Sequence, residues 1–328
     1  MSIIARAKEN ASVSPWREFT RRLEHGDTIF RALTVLAALL IVITVGAIGL
    51  QLWGTSTLSR EKFGWGFLVS QDWNPVAQNF GALPFIYGTL QTSFVALLLA
   101  VPMGLGIAIF LSELAPGWLR QPLGFLVELL AAVPSVVYGL WGLFVFIPAF
   151  VKPIADALNQ QLGFIPLFQG PVFGPSRLAA SLVLAIMVLP TISAVSRDVF
   201  LAIPRAQREA ALALGATRWE MIAQVLVPYG MSGILGAVIL GLGRALGETI
   251  AVTMLIGNNL DLTASLLHPG YTMASLIVNE FTEATYPLYL QALIEIALVL
   301  FVITLLLNLI ARALIWRVAR RIPTEARV

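Results

Sequence analysis

Residues 203–228 read IPRAQREAALALGATRWEMIAQVLVP, a polar stretch between two apolar segments of the chain. Pro204 suits the first position of a helix, and Gly215 suits the position just after a helix ends. Thr217 and Glu220 have the T-x-x-E spacing of a capping box, which starts a second helix. The stretch therefore predicts a short helix, a sharp bend at Gly215 and a second helix that returns to the next apolar segment.

Apolar segments long enough to cross a membrane lie on both sides of this stretch. A helix needs about 20 residues to cross a hydrocarbon core that is roughly 30 Å thick. Prolines inside such segments do not exclude a helix, because neighbouring helices can satisfy the freed backbone groups. We predict six spans, at residues 29–53, 85–111, 123–150, 178–195, 231–256 and 288–310.

The distribution of positive charge predicts the orientation of these spans. Sixteen Lys and Arg residues fall on the side of the N-terminus and the 203–228 stretch, against four on the other side. Because loops rich in Lys and Arg stay in the cytoplasm, both termini are predicted to be cytoplasmic. The outer loops carry aromatic residues that are typical of interfacial anchors, with a docking surface for an external partner as the alternative. These aromatic residues are Trp65, Trp73, Phe80, Phe164 and Phe168.

The composition excludes several classes of protein. With 58% hydrophobic and 12% charged residues, the chain is neither a typical soluble enzyme nor a disordered protein, and we interpret it as an integral membrane protein. It has no cysteine, and its two histidines, His25 and His268, have no ligand spacing, so we predict no metal site, no cofactor and no catalytic residues. Its basic residues flank apolar runs, which favours contact with membrane lipid over nucleic acid. None of its three lysines follows a glycine, so it has no phosphate-binding Walker A loop.

The 203–228 stretch resembles the EAA motif of ABC-importer permeases. The matching positions are Glu209, Ala210, Ala211, Gly215 and Pro228. The family usually has Ile and Leu where this chain has Val225 and Val227. The resemblance implies that the loop is a coupling helix that sits in a cleft of a separate ATPase subunit. The spacing alone also fits an amphipathic helix pair that lies on lipid headgroups.

Two further stretches, residues 87–147 and LGLGRALGETIAVTMLIGN at 240–258, are similar to the PstC permeases of bacterial phosphate importers. This resemblance implies an all-α membrane protein of the inner membrane, with a type I importer core of five helices and one preceding helix. It implies three partners: a PstA-like sister permease, a dimer of ATPase subunits and an external phosphate-binding protein. ATP hydrolysis would then belong to a partner, and this chain would not be an enzyme. The alternatives are an importer of another oxyanion such as sulfate or molybdate, and an integral membrane enzyme or channel.

Hydropathy, charge and this resemblance together predict a division of the chain into four parts. These are a cytoplasmic tail at 1–28, the first helix with its external loop at 29–84, the permease domain at 85–317 and a cytoplasmic tail at 318–328.

Arg244, Glu248 and Glu295 are charged residues inside predicted spans. Arg244 and Glu248 are four residues apart on one predicted helix and are expected to pair, with Glu295 at a similar depth. An uncompensated charge inside a membrane costs roughly 2.5–3.5 kcal/mol even on the gentler scales, so an incidental Arg is not expected. The three residues are interpreted either as an ion pair that fixes helix register, or as a translocation pathway in which Arg244 meets the anion and the carboxylates hold its side chain. The glycines around Arg244, with Gly243-xxx-Gly247, predict close helix packing.

Overall fold

The protein is a helical membrane protein. The structure, a computed structural model, describes the backbone of residues 15–319 and the side chains of residues 29–317. Within this part, six helices are long and apolar enough to cross a membrane, which confirms the predicted number of spans. Of the predicted tails, residues 1–14 and 320–328 lie outside the part of the chain that the structure describes. The orientation of the termini stays a prediction.

The chain divides into two compact units, residues 1–54 and 55–328. The described part of the first unit is helix α1 (Pro15–Thr55), whose apolar section begins at Ile29, as predicted.

The second unit contains the remaining helices and one small hairpin. The hairpin pairs β1 (Trp73–Asn74) with β2 (Asn79–Phe80). The helices are α2 (Thr57–Phe63), α3 (Gly66–Val69), α4 (Leu83–Ile109), α5 (Gly117–Ala132), α6 (Ser135–Trp141), α7 (Lys152–Leu162), α8 (Arg177–Ala202), α9 (Arg205–Ala213), α10 (Arg218–Met221), α11 (Val227–Gly247), α12 (Ile250–Leu255), α13 (Met273–Glu280) and α14 (Pro287–Ala319). Three π-helical segments continue these helices, at Phe110–Leu114 after α4, at Gly142–Val151 between α6 and α7, and at Ile222–Leu226 between α10 and α11.

Helix α8 forms the centre of the second unit, and most of its side chains are buried. Glycines on two neighbours let their backbones approach it closely. A Cβ added to Gly104 of α4 would lie 3.0 Å from Ile192, and one added to Gly241 of α11 would lie 2.9 Å from the same side chain. The predicted close packing is confirmed at Gly241, whereas a Cβ at Gly243 or Gly247 would meet nothing within 4 Å among the described residues. That face of α11 is therefore open in this chain.

The predicted third span, 123–150, is wrong in its bounds. Helix α5 ends at Ala132, Val133 and Pro134 are extended, and the spanning segment runs from Ser135 to Leu162. Proline disfavours a helical conformation in the residue before it, so the chain turns at Val133. Helix α5 is thereby separate from the third span, and its Glu128 pairs with Arg197 near the end of α8 at 3.1 Å.

An aromatic cluster holds the hairpin against α4 and α14. Trp73 and Phe80 are cross-strand partners with ring centroids 4.8 Å apart, and Phe80 stacks on Tyr289. The side chain of Glu280 accepts hydrogen bonds from the Trp73 indole and the Tyr289 hydroxyl, both at 2.6 Å. The prediction that Trp73 and Phe80 are interfacial anchors is wrong, since both are buried, whereas Trp65 and Phe164 are exposed.

Arg177 fixes the loop that follows α12 onto the start of α8. Its side chain is 1% exposed and donates to the backbone carbonyls of Thr263 at 2.6 Å and Ser265 at 3.3 Å, and also to that of Asp261. The guanidinium lies over the ring of Tyr87, 5.5 Å from its centroid. One side chain thus connects α4, α8 and the loop.

We expect Arg177→Met to lower the stability of the second unit by about 2–4 kcal/mol, because three buried or partly buried backbone carbonyls lose a charged donor. Thermal unfolding of the purified protein in detergent measures this loss. Arg177→Lys is the matched control: it keeps the charge but cannot reach all three carbonyls, so we expect an intermediate effect. An unchanged melting temperature in Arg177→Met would contradict the assignment of Arg177 as the anchor of this loop.

Candidate functional site

The 203–228 stretch forms the predicted helix, bend and helix. Helix α9 ends at Ala213, and Gly215 follows with φ of +89°. The backbone N–H of Ala216 donates to the carbonyl of Ala211, and that of Gly215 donates to Leu212. This pair of bonds is the Schellman arrangement, which requires a residue in the left-handed conformation and therefore favours glycine.

The predicted capping box starts the second helix. The Thr217 hydroxyl accepts from the backbone N–H of Glu220 at 3.3 Å, and the Glu220 carboxylate accepts from the backbone N–H of Thr217 at 2.8 Å. The helix then continues through the π-helical segment Ile222–Leu226 into α11. Pro228 lies where the π-helical segment passes into α11, and because it has no N–H, one carbonyl of the preceding turn lacks its helical partner.

The loop presents one exposed and one buried side. Glu209 and Ala210 are exposed, whereas Ala211 is buried at 9% exposure. The two large apolar side chains that flank Gly215 also face outward, with Leu214 at 90% and Trp219 at 70% exposure. Exposed apolar side chains next to a rigid bend are typical of a surface that packs against lipid or another subunit.

Arg208 and Glu113, which the sequence did not single out, hold this loop against the spans. The Arg208 guanidinium donates to the Glu113 carboxylate from Nη2 at 2.8 Å and from Nε at 3.2 Å. It also donates to the carbonyls of Phe200 and Ile203, both at 2.6 Å. The two residues are 95 positions apart, so no local spacing could have indicated their contact.

The predicted fifth span is interrupted near its charged residues. Helix α11 ends at Gly247, Glu248 is extended with ψ of 127°, and the short helix α12 follows. The Glu248 carboxylate accepts from the backbone N–H of Ala251 at 3.4 Å, and the Thr249 hydroxyl donates to the carbonyl of Gly247 at 3.1 Å. The prediction of one helix over 231–256 is therefore wrong. Non-helical backbone at membrane depth is tolerated where it is buried in protein or lines a cavity.

Arg244 lies in the last turn of α11, next to this break. The predicted pair with Glu248 is wrong, because the helix ends between the two residues and no ion pair joins them in the described part of the chain. The Nε of Arg244 is buried without a hydrogen-bond partner, and Tyr138 of α6 is close enough to interact with its charge. Arg244 is thus a half-buried cation beside a helix break.

Glu295 has its charged neighbour on α2 and not at the break that follows Arg244. Its side chain on α14 is 5% exposed and neighbours Ser59 and Arg60 of α2. The expectation that Glu295 holds the side chain of Arg244 is therefore wrong. Among the described residues, no group of three or more His, Asp and Glu side chains is arranged to hold a metal ion.

Comparison with known proteins gives relatives over nearly the whole chain. Residues 100–322 match the family model described as binding-protein-dependent transport system inner membrane component. The phosphate transport system permease protein PstC of Mesorhizobium japonicum is 46% identical over 305 residues, covering 92% of this chain and 93% of the relative. The protein of the same name from Pasteurella multocida is 47% identical over 308 residues, covering 92% and 96%.

Among solved structures, a chain of a bacterial ABC transporter involved in the import of the acidic polysaccharide alginate aligns with a TM-score of 0.60. The alignment has 17% identity and covers 92% of this chain and 98% of that chain. At this identity the likeness establishes a shared fold and nothing about the substrate.

Proposed function

We propose that this chain, which belongs to the family of binding-protein-dependent transport system inner membrane components and to its PstC branch, is the permease subunit of a phosphate importer. Phosphate is assigned as the substrate because the chain is 46–47% identical to two PstC permeases over about nine-tenths of its length. The chain is an integral protein of the inner membrane with an ABC-importer permease fold.

The translocation pathway is proposed to pass Arg244 at the break between α11 and α12. Broken helices recur at the substrate sites of membrane transporters, because their ends offer unsatisfied backbone groups and partial charges to an ion. A buried guanidinium Nε without a partner adds a fixed positive charge and a free donor for an oxyanion. Glu248, which caps α12, is proposed to hold the break in shape, and Glu295 is left out of the pathway.

This chain is proposed to supply half of that pathway. Gly236, Gly243 and Gly247 share a face of α11 beside Arg244, and a Cβ at any of them would meet nothing within 4 Å in this chain. A cation beside an open apolar face needs a second subunit to complete its surroundings, since contact with lipid would leave it uncompensated. A PstA-like sister permease is the partner that we assign to this face.

The loop α9–Gly215–α10 is proposed to couple this permease to a separate ATPase subunit. Glu209 and Ala210 of the EAA motif, together with Leu214 and Trp219, are exposed and would contact that subunit, whereas Ala211 packs inward. An external phosphate-binding protein delivers the substrate on the opposite side. ATP hydrolysis therefore belongs to the partner, and this chain is not an enzyme.

Uptake by the reconstituted complex tests the function. We expect proteoliposomes that contain both permeases, the ATPase subunits and the binding protein to accumulate labelled phosphate when ATP is supplied. Sulfate and molybdate in excess are expected to leave this uptake unchanged. Uptake of sulfate or molybdate in place of phosphate would reject the substrate, and uptake without an ATPase subunit would reject the importer mechanism.

A further inference from the structure

Arg208 connects three elements that meet beneath the spans. It is on α9, its carboxylate partner Glu113 is on the π-helical segment that continues α4, and its two carbonyl partners are at the end of α8. The side chains of Arg208 and Glu113 are only 16% and 10% exposed, so their interaction is largely shielded from solvent. Exposed ion pairs contribute little, but a shielded Arg–carboxylate pair with two donors is both stronger and more directional.

The chemistry of this contact requires an arginine. Four of the five guanidinium donors are used, two on Glu113 and one each on Phe200 and Ile203. The Phe200 carbonyl is in the last turn of α8 and also accepts from the backbone N–H of Ile203, whereas the Ile203 carbonyl lies just after the helix ends. A lysine ammonium has no planar fork and could not reach the carboxylate and both carbonyls together.

Besides this contact, α9 is connected to the spans by the backbone at its two ends and by the packing of the buried Ala211. On one side the chain passes from α8 to α9 through extended backbone at Ile203 and Pro204. On the other side it turns at Gly215. The Arg208 contact therefore adds a polar, directional link between α9 and the spans to the packing of Ala211.

The contact also leads to the helix that bears Arg244. Helix α8 packs tightly on α11, since a Cβ added to Gly233 would lie 2.4 Å from the Val199 side chain. A displacement of the end of α8 must therefore displace α11, because packed interiors transmit strain.

We propose that Arg208 and Glu113 are positioning residues that carry movement of α9 into α4 and α8 and, through α8, into α11. This inference rests on the proposed coupling of the loop to an ATPase. The pair acts as a mechanical link and does not itself contact ATP or the transported anion. A covalent bridge between the same two positions should therefore replace it.

The chain has no cysteine, so the double variant Glu113→Cys with Arg208→Cys offers the only thiols of this subunit. Removing both partners together avoids leaving one buried charge uncompensated. In the reconstituted complex, we expect this variant to retain the ATPase subunits and basal ATP hydrolysis, but to lose at least about tenfold in phosphate uptake per ATP hydrolysed. Bridging the thiols with a short, reducible bifunctional reagent should restore most of the uptake, and reduction should remove it again.

Two single variants keep the inference testable if the double variant assembles poorly. Arg208→Lys keeps the charge and Glu113→Gln keeps an acceptor, and both should show the same loss of uptake per ATP with the ATPase subunits still bound. Arg312→Ala, which removes an exposed arginine of α14 outside the coupling loop, is the control and should transport normally.

Three results would overturn the link. The first is normal phosphate uptake per ATP in the unbridged variants, and the second is no recovery of uptake after complete bridging. The third is dissociation of the ATPase subunits, which would mean that Arg208 serves to dock them. If the unmodified complex fails to take up phosphate, the proposed function fails, and that outcome is separate from these three.

Discussion

Replacing Arg244 with glutamine is expected to lower phosphate uptake by at least about tenfold while the complex still assembles. The guanidinium is the cation beside the break between α11 and α12, and its Nε is buried without a partner. A hydrogen bond to a charged group contributes about 1.5–3 kcal/mol, so loss of the charge alone should lower uptake about 10- to 100-fold. Assembly should persist, because glutamine removes no ion pair seen in the described part of the chain.

Uptake of labelled phosphate, measured beside co-purification of the ATPase subunits, separates transport from assembly. Arg244→Lys retains a cation at the break and should keep part of the activity. Arg312→Gln removes an exposed arginine of α14 outside the coupling loop and is the control for charge alone.

The charge-swapped variant, Arg244→Glu with Glu248→Arg, decides between the two interpretations of these residues. It preserves a possible pair but moves the cation beyond the end of α11. Since the structure has no such pair, we expect the swap to remain inactive. Restored uptake would favour a structural pair and would reject Arg244 as a pathway residue.

The features that could be predicted from the sequence are local. The capping box at Thr217 and Glu220 and the glycine bend at Gly215 depend on residues within a few positions of one another, and both are confirmed. Span number could be predicted too, because about 20 consecutive apolar residues have few alternatives to a membrane helix.

The failures arise where tertiary contacts decide the local structure. The apolar run 231–256 is long enough for one helix, but Glu248 caps α12 instead of continuing α11. The spacing of apolar residues does not indicate the break between α11 and α12, because a continuous apolar run fits a straight helix and a broken one equally well. At Val133 the sequence does contain an indication of the break, because Pro134 disfavours a helical conformation in the residue before it. The long apolar run at 123–150 nevertheless favours the prediction of one continuous span.

The candidate site was only partly predictable for the same reason. Glu209 to Gly215 could be found by motif, and Arg244 because a charge within an apolar run is conspicuous. Arg208 and Glu113 are separated by 95 positions, and the charged neighbour of Glu295 is Arg60 of α2. Such pairings depend on how the helices are arranged, which local patterns in the sequence do not show.

The second large effect concerns the bend between α9 and α10. Gly215→Val should leave the spans inserted and uncouple the ATPase. Gly215 has φ of +89°, and a Cβ there would meet nothing within 4 Å, so valine is excluded by backbone conformation and not by a clash. The left-handed conformation costs a β-branched residue about 1–3 kcal/mol, enough to shift the bend to another geometry. The surface formed by Leu214 and Trp219 would then lose its shape.

Gly215→Asn separates conformation from the mere presence of a side chain. Asparagine adopts the left-handed conformation more readily than other residues with a side chain, so it should keep most of the coupling where valine loses it. Substrate-stimulated ATP hydrolysis and phosphate uptake by the reconstituted complex measure both. Normal stimulation with normal uptake in Gly215→Val would remove the coupling role from this loop. Equal losses of coupling in Gly215→Val and Gly215→Asn would mean that the partner subunit needs an empty space at residue 215. A loss caused by backbone conformation should be smaller for asparagine than for valine.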